Sequence, residues 1–327
     1  MKTFNWTELG PHLYGLARDR GIENPLVSEL DWPDGVISGV PDRIYHSLHY
    51  ASNSALKAIL VSPAYMLSRR GSKQTDSQRE GTLVHDAVLE PELYRAKYKV
   101  LPRFHKGQND ETAIGNGYEG GKQAYAAFMK SIENDESRII SASDAAMTKG
   151  AIKAVEENEE LRRLLWGSKA RELMLVWTDE ELGVRCKAKL DVWHEDTGML
   201  VDLKTTKSIG TFEGDIMKFG YHIQDFMYRR GATLLEMSSN PDFVIAALER
   251  RGAFESELWY LSDRHRELAR AQVFAAADLW RACHDSQNFP KRSGLRVAED
   301  LKPWHVQDAE ASIERAKEFT RILKGEA

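Results

Sequence analysis

The stretch Cys186-Lys-Ala-Lys-Leu-Asp-Val-Trp-His-Glu-Asp-Thr-Gly-Met-Leu-Val-Asp-Leu-Lys204 alternates apolar and polar residues on either side of a polar turn, Glu195-Asp-Thr-Gly198. Alternation with a period of two marks a half-buried strand, and a Gly-containing turn between two such runs predicts a hairpin. Asp191 and Asp202 are equidistant from that turn. A hairpin centred there sets the two carboxylates opposite each other, about 5 Å apart at Cβ and on one face. Lys204, two residues further on, shares that face. The other face is expected to carry Ala188, Leu190, Val192, Val201 and Leu203 as a continuous apolar strip that packs against helices.

Two adjacent carboxylates repel each other and ionise together only at a cost unless a cation lies between them. Their juxtaposition therefore suits a hard divalent ion, Mg2+ foremost with Mn2+ as a substitute. Such an ion polarises a phosphoryl oxygen and acidifies a bound water, while the Lys204 ammonium stabilises the attacking hydroxide and the charge developing at phosphorus. That combination amounts to phosphodiester hydrolysis. From the spacing D-x10-D-x-K alone, a surface hairpin with cross-strand charge pairs explains the pattern equally well.

Outward from the hairpin, Leu173 to Trp177 reads as a preceding strand, so three consecutive antiparallel strands are expected. Phe219 to Met237 is helical in spacing, Phe243 to Leu248 and Leu258 to Leu261 look like strands, and His265 to Cys283 is an Ala-rich amphipathic helix. Upstream the chain is mainly helical. Ser52 is an N-cap candidate before Ala55, Leu56, Ile59 and Leu60, a second helix runs from about Pro63 to Arg70, and Gly81 to Leu89 is a short helix. Residues 103 to 121 hold five glycines and read as a loop, followed by helices over Lys122 to Ile132 and Ser143 to Trp166, the latter capped by Ser143 or Asp144. The basic run Arg69, Arg70, Lys73 and Arg79 reads as a solvated face. Residues 1 to 45, with four prolines and no sustained periodicity, are expected to form an irregular arm; 46 to 285 form the main domain and 286 to 327 a C-terminal extension.

The composition, 42% hydrophobic and 9% aromatic, suffices for a packed core, and the formal net charge of -5 excludes a uniformly basic nucleic-acid coat but not a local positive groove. Two cysteines, Cys186 and Cys283, cannot build a four-thiolate zinc or iron-sulfur site within one chain, and their scarcity points to a reducing cytoplasm. Met1 to Gly15 lacks the pattern of a signal peptide, and no stretch approaches membrane-spanning length, so no membrane role is expected.

Three further features bear on the Asp191, Asp202 and Lys204 cluster. His85 lies one helical turn beyond Gly81 in Gly81-Thr-Leu-Val-His85; a lone His on an apolar helix is most often a satisfied core residue. Gln224-Asp-Phe-Met-Tyr228 places an amide and a phenol one turn apart, able to hydrogen-bond a phosphate or a catalytic group, although a polar helix edge has the same spacing. Glu172, before the first strand, could orient water or bind a second cation, or be a solvated strand end. In the order G-x-x-x-H, E, D, D-x-K, Q-x-x-x-Y they form a specific pattern.

That ordered pattern resembles the PD-(D/E)xK nuclease superfamily, in the branch with a helical histidine and a Q-x-x-x-Y motif that includes RecB-type and lambda-type exonucleases. Ser62-Pro-Ala64, Gly81-Thr-Leu-Val-His-Asp-Ala-Val-Leu-Glu-Pro-Glu92, Gly121-Lys-Gln-Ala-Tyr125, Asp202-Leu-Lys-Thr-Thr206 and His222-Ile-Gln-Asp225 are similar to the RecE, or exonuclease VIII, C-terminal nuclease domain, over roughly residues 45 to 285. The resemblance implies an α/β fold of a mixed central sheet flanked by helices, the antiparallel hairpin carrying the site. It implies that His85, Asp191, Asp202 and the carbonyl of Leu203 ligate the metal, that Lys204 is the catalytic lysine, and that Gln224 and Tyr228 support it. It further implies a processive 5′-to-3′ exonuclease on double-stranded DNA ends, a ring-shaped homo-oligomer and a single-strand annealing protein as partner. Two departures stand out: Leu190 replaces the proline that names the motif, which is not a ligand, and the Gly-rich stretch around 107 to 121 is longer than in the family pattern. Alternatives within the same fold are a structure-selective endonuclease or a single-strand nuclease; a non-catalytic DNA-binding or annealing module would have no need of opposed carboxylates beside a lysine.

Overall fold

Short polar residues start the helices of this chain, and alternating apolar runs build its sheet. The computed structural model describes residues 1–20, 22, 26–69, 74–101, 127–130, 138–293 and 313. In chain order the elements are β1 (Thr3–Asn5), α1 (Trp6–Asp19), β2 (Gly35–Ser38), α2 (Asp42–Ser47), α3 (Asn53–Val61), α4 (Pro63–Ser68), α5 (Asp76–Leu89), α6 (Pro91–Lys97), β3 (Tyr98–Val100), β4 (Arg138–Ile140), α7 (Ala142–Glu157), α8 (Glu159–Trp166), β5 (Ala170–Asp179), β6 (Val184–His194), β7 (Met199–Thr206), α9 (Phe212–Lys218), α10 (Tyr221–Leu234), β8 (Asp242–Glu249), β9 (Ser256–Trp259) and α11 (Asp263–Ser286). Met1–Pro290 form one unit and Lys291–Ala327 a second, of which residues 291–293 and 313 are described.

Ser52 caps α3, its Oγ accepting from the Ala55 N–H at 3.3 Å, and Ser62 caps α4 in the same way. The expected helix over 143 to 166 is two helices. Ser141, not Ser143, caps α7 in a reciprocal box with Asp144, and Asn158 ends α7 and caps α8. Arg79 of the expected solvated face instead makes a two-pronged ion pair with Asp144. The Gly-rich loop, the Gly121-Lys-Gln-Ala-Tyr125 segment and all of the 122–132 helix except 127–130 lie outside the described residues, as do Arg70 and Lys73.

The mixed α/β fold expected from sequence is the one observed: a seven-stranded sheet in the order β1-β2-β5-β6-β7-β8-β9, flanked by helices. β5, β6 and β7 are antiparallel neighbours, and β8 joins β7 in parallel. Residues 1 to 45 do not form an irregular arm. They contribute β1 and β2 to one edge of this sheet, with β2 antiparallel to β5, and Leu9, Leu13 and Ala17 of α1 are buried in the core. β1 and β2 are short, and β2 pairs with a strand distant in sequence, whereas the 14-residue α1 carries Leu9, Leu13 and Ala17 at helical spacing with Pro11 inside it.

One face of the sheet packs Leu173, Leu175, Trp177, Ala188, Leu190, Trp193, Leu200 and Ile245 against α3, α10 and α11, through Leu56, Ile59, Met227 and Val273. The other face divides into two cores. Val192, Val201, Leu203 and Val244 pack on α5, α7 and α8, while Ile37, Met174 and Val176 pack on α1. The expected continuous strip is therefore broken: Ala188 and Leu190 belong to one face, and Val192, Val201 and Leu203 to the other.

The cause is a change of phase in the pleat. Paired residues run Ala170–Trp193 and Arg171–Val192, then resume at Leu173–Leu190, omitting Glu172 and Asp191. Glu172 is left-handed, with φ 51°. The pairing register is the same on both sides of this gap, but the side chains change phase across it, so that Leu190 and Val192 of β6 enter different cores. Left-handed backbone costs a side-chain-bearing residue about 1 kcal/mol relative to glycine. Glu172→Gly is therefore expected to be more stable than Glu172→Ala by about that amount in denaturant titrations; an alanine variant of equal or greater stability would show that the backbone there is not left-handed.

Candidate metal centre

The β6–β7 ladder spans three pairs, Val192–Val201, Trp193–Leu200 and His194–Met199, and stops short of Asp191 and Asp202. The two carboxylates are thus not a paired couple in a continuous ladder, as the hairpin spacing suggests. Beyond Val201 the strands part and side chains enter the gap. Asp191 Oδ2 accepts the backbone N–H of Leu203 at 2.7 Å, and His85 Nε2 donates to the Leu203 carbonyl at 2.6 Å. His85 Nδ1 lies 3.7 Å from Asp191 Oδ2. His85 reaches the gap because α5 lies close on β7: a Cβ on Gly81 would stand 3.3 Å from Thr205 Oγ1.

Glu172, turned by its left-handed backbone, completes a cluster in which His85, Glu172 and Asp191 each offer one ligand atom, all within 4.8 Å of one another. Asp202 stands beside it on β7, 2% exposed. Its Oδ1 accepts from Gln224 Nε2 at 2.5 Å, and its Oδ2 ion-pairs with Lys204 without receiving a well-aligned hydrogen bond. The Tyr228 hydroxyl donates to the Lys189 carbonyl at 2.8 Å, fixing β6 two residues before Asp191. The sequence-derived residues His85, Glu172, Asp191, Asp202, Leu203, Lys204 and Gln224 thus converge on one gap, with Tyr228 bracing its wall.

The electrostatics show a shortage of positive charge. Burial, followed by the neighbouring Asp202 carboxylate, pushes Asp191 up to about 7. Burial works against the Lys204 ammonium, but Asp202 and Asp191 outweigh it and raise its pKa, so the lysine stays charged. The cluster fits a divalent cation on these grounds: oxygen donors dominate, one buried carboxylate resists ionisation, and Asp202 Oδ2 has an unfilled acceptor direction.

Three neighbours have no counterpart among the sequence-based expectations. Lys189 Nζ bridges Glu172 Oε2 and Asp42 Oδ1, each at 2.6 Å, and the two carboxylates raise its pKa against the opposing effect of burial. The Tyr221 ring centroid lies 5.2 Å from Lys204 Nζ. Lys189 was accessible by the period of two from Asp191, and Tyr221 by its helical offset from Gln224; Asp42, in a segment without periodicity, carried no signal.

The model of the PDDEXK-like domain of unknown function, DUF3799, matches residues 52–299, most of the chain. The chain belongs to this family. Its PDDEXK-like fold is shared with a solved structure from Eubacterium rectale, described as a "Putative exonuclease", at a TM-score of 0.50 and 15% identity, covering 77% of this chain and 90% of that one. A phage related exonuclease from Haemophilus somnus aligns at a TM-score of 0.28 and 12% identity, covering 57% and 97%, too distant to add weight. No curated protein matches the chain significantly. Among the described residues no helix is long and apolar enough to cross a membrane.

The Asp191 shift fixes a sign for the metal-free PDDEXK-like domain. An unfolded Asp titrates near about 3.9, whereas Asp191 in the fold holds its proton to about 7. Between those values the folded state binds the extra proton, so its stability falls as pH rises through this window. Asp191→Asn removes the dependence and keeps an acceptor for the Leu203 N–H. In chelator, the Asn variant is expected to gain on wild type between pH 5 and pH 8 by about 3 kcal/mol; parallel stability profiles would contradict a buried, proton-holding Asp191.

Proposed function

We propose that the chain is a metal-dependent deoxyribonuclease. The observation that carries this is the convergence of His85, Glu172 and Asp191 on a gap whose other wall holds the charged Asp202–Lys204 pair. Nucleases of this superfamily generally use divalent metals. His85, Asp191, Asp202 and the Leu203 carbonyl would hold the ion, with Glu172 as an additional ligand or an orienter of water. Oxygen-rich ligation suits Mg2+, and the single imidazole leaves Mn2+ as a substitute. A cation bound there would supply Lewis-acid polarisation of a phosphoryl oxygen and a more acidic water.

The side chains divide the remaining work. Lys204 keeps its proton in a buried setting and presents a fixed positive charge to the phosphoryl group, where negative charge develops during hydrolysis. Gln224 holds one oxygen of Asp202, leaving the other directed to Lys204 and the gap. Tyr228 donates to the strand backbone and so serves to position Asp191, not to contact the phosphate.

The finer assignment follows the resemblance to RecE: a 5′-to-3′ exonuclease on double-stranded DNA ends that leaves 3′ single-stranded tails for recombination by annealing, acting as a ring-shaped homo-oligomer with a single-strand annealing partner. Purified protein with Mg2+ and end-labelled linear duplexes tests it. Lys204→Ala and Asp202→Ala are each expected to lower nucleotide release by about a thousandfold with a folded circular-dichroism spectrum. Full activity in both variants would remove the proposed centre. Cleavage of covalently closed circles would replace the end-dependent assignment with an endonuclease, and metal-independent binding without hydrolysis would replace it with an annealing module.

A further inference from the structure

Next to Lys204 the chain presents an aromatic step that hydrolysis does not use. The Tyr221 ring beneath Lys204 stacks on Phe212 at 5.8 Å between centroids and stands 6.0 Å from Phe219. Phe212 is buried, but Phe219 is 46% exposed. It sits at the joint between α9 and α10, immediately before Gly220.

Two cations flank this ring. Lys57 of α3 lies across the joint, its Nζ donating to the Phe219 carbonyl at 2.8 Å, which leaves two N–H groups of the ammonium for another acceptor. Gly220 makes the crossing possible. Its φ is 65°, and a Cβ there would stand 2.5 Å from Lys57 Cδ. Lys218 Nζ lies 5.0 Å from the Phe219 ring centroid. Burial, and next the positive charge of Lys204, lower the Lys57 pKa to about 8, so an anion beside Lys57 would relieve a repulsion already present. A lone exposed Phe is unremarked on protein surfaces. An exposed ring flanked by ammonium groups, one of them beside Lys204, has the elements with which proteins hold unpaired nucleotides: a stacking platform and phosphate-neutralising charge.

We propose that Phe219 and Lys57 form a nucleotide subsite of the active centre, in which an unpaired base stacks on Phe219 and the adjoining phosphate is held by Lys57. This rests on the nuclease reading of the neighbouring centre and deepens it. A base inside a duplex has both faces covered by its neighbours, so only a base freed from the stack can lie on the ring. The subsite therefore favours a strand whose end is frayed over one that is fully paired.

Binding and turnover test this separately. Fluorescence anisotropy, with calcium in place of magnesium, compares a labelled duplex carrying a short unpaired end with its blunt counterpart, and steady-state kinetics on the same DNAs use magnesium. Phe219→Ala is expected to weaken binding of the unpaired-end duplex about tenfold and to raise KM with kcat nearly unchanged, while Phe219→Trp retains both. Lys57→Met is expected to reduce the slope of log affinity against log salt by about one. Wild-type protein that binds and cuts, with Phe219→Ala unchanged in affinity and KM, overturns the subsite alone. A tryptophan variant as weak as alanine also overturns it, since stacking should be rescued. Binding that weakens as expected in a chain that never cuts would keep the subsite and reject the nuclease, and a wild-type chain that binds no DNA overturns both.

Discussion

The backbone of Leu203 sets the terms for the centre. In a strand the N–H and C=O of one residue point to the same side, and at Leu203 they point toward β6, where the ladder has already ended. Both groups are buried in the sheet and must find partners. They find side chains instead of a strand: Asp191 takes the N–H and His85 gives to the carbonyl. The residues that could ligate a cation are thus also the ones that satisfy an interrupted sheet, and neither can be removed without leaving a buried backbone group unpaired, at about 1 to 3 kcal/mol.

The interruption also explains why both helical layers reach one site. A continuous sheet would separate His85, which comes from α5 on one face, from Gln224 and Tyr228, which come from α10 on the other. Where β6 and β7 part, the two layers meet. The left-handed Glu172 belongs to the same device, because the phase change that it accompanies both opens the pairing at Asp191 and turns its carboxylate toward His85. Strain of this kind persists where the surroundings over-determine it, here through the ion pair from Glu172 to Lys189 and the Tyr228 bond to the Lys189 carbonyl.

Much of this was legible in the chain. Period-two alternation located β5, β6 and β7 and their antiparallel order, helical spacing located α10 and α11, and the ordered polar residues located the gap. What escaped had physical causes. Faces were inferred from an unbroken period of two, and nothing in Arg171-Glu-Leu173 announces a left-handed residue. The symmetry of Asp191 and Asp202 about the turn was right as arithmetic, but it could not reveal that pairing stops at Val192. β1 and β2 are three and four residues long and owe their existence to distant neighbours, β2 to β5 in particular, so no local pattern could disclose them.

The charge of the gap links these points. Asp42, Glu172, Asp191 and Asp202 bring four carboxylates, and Lys189 and Lys204 bring two ammonium groups, joined through direct ion pairs and the field between Asp191 and Asp202. Asp191 is the member without a lysine partner among these pairs, and burial first, then the Asp202 carboxylate, raise its pKa. A proton on Asp191 removes half of the excess negative charge, whereas a divalent cation would remove all of it and let Asp191 ionise. On the proposed function DNA would bring further negative charge, which such a balanced centre would accept only with additional cations close by. Lys57, in the field of Lys204 and bonded to the Phe219 carbonyl, is such a cation, which is the electrostatic reason for the proposed path of the strand past Phe219.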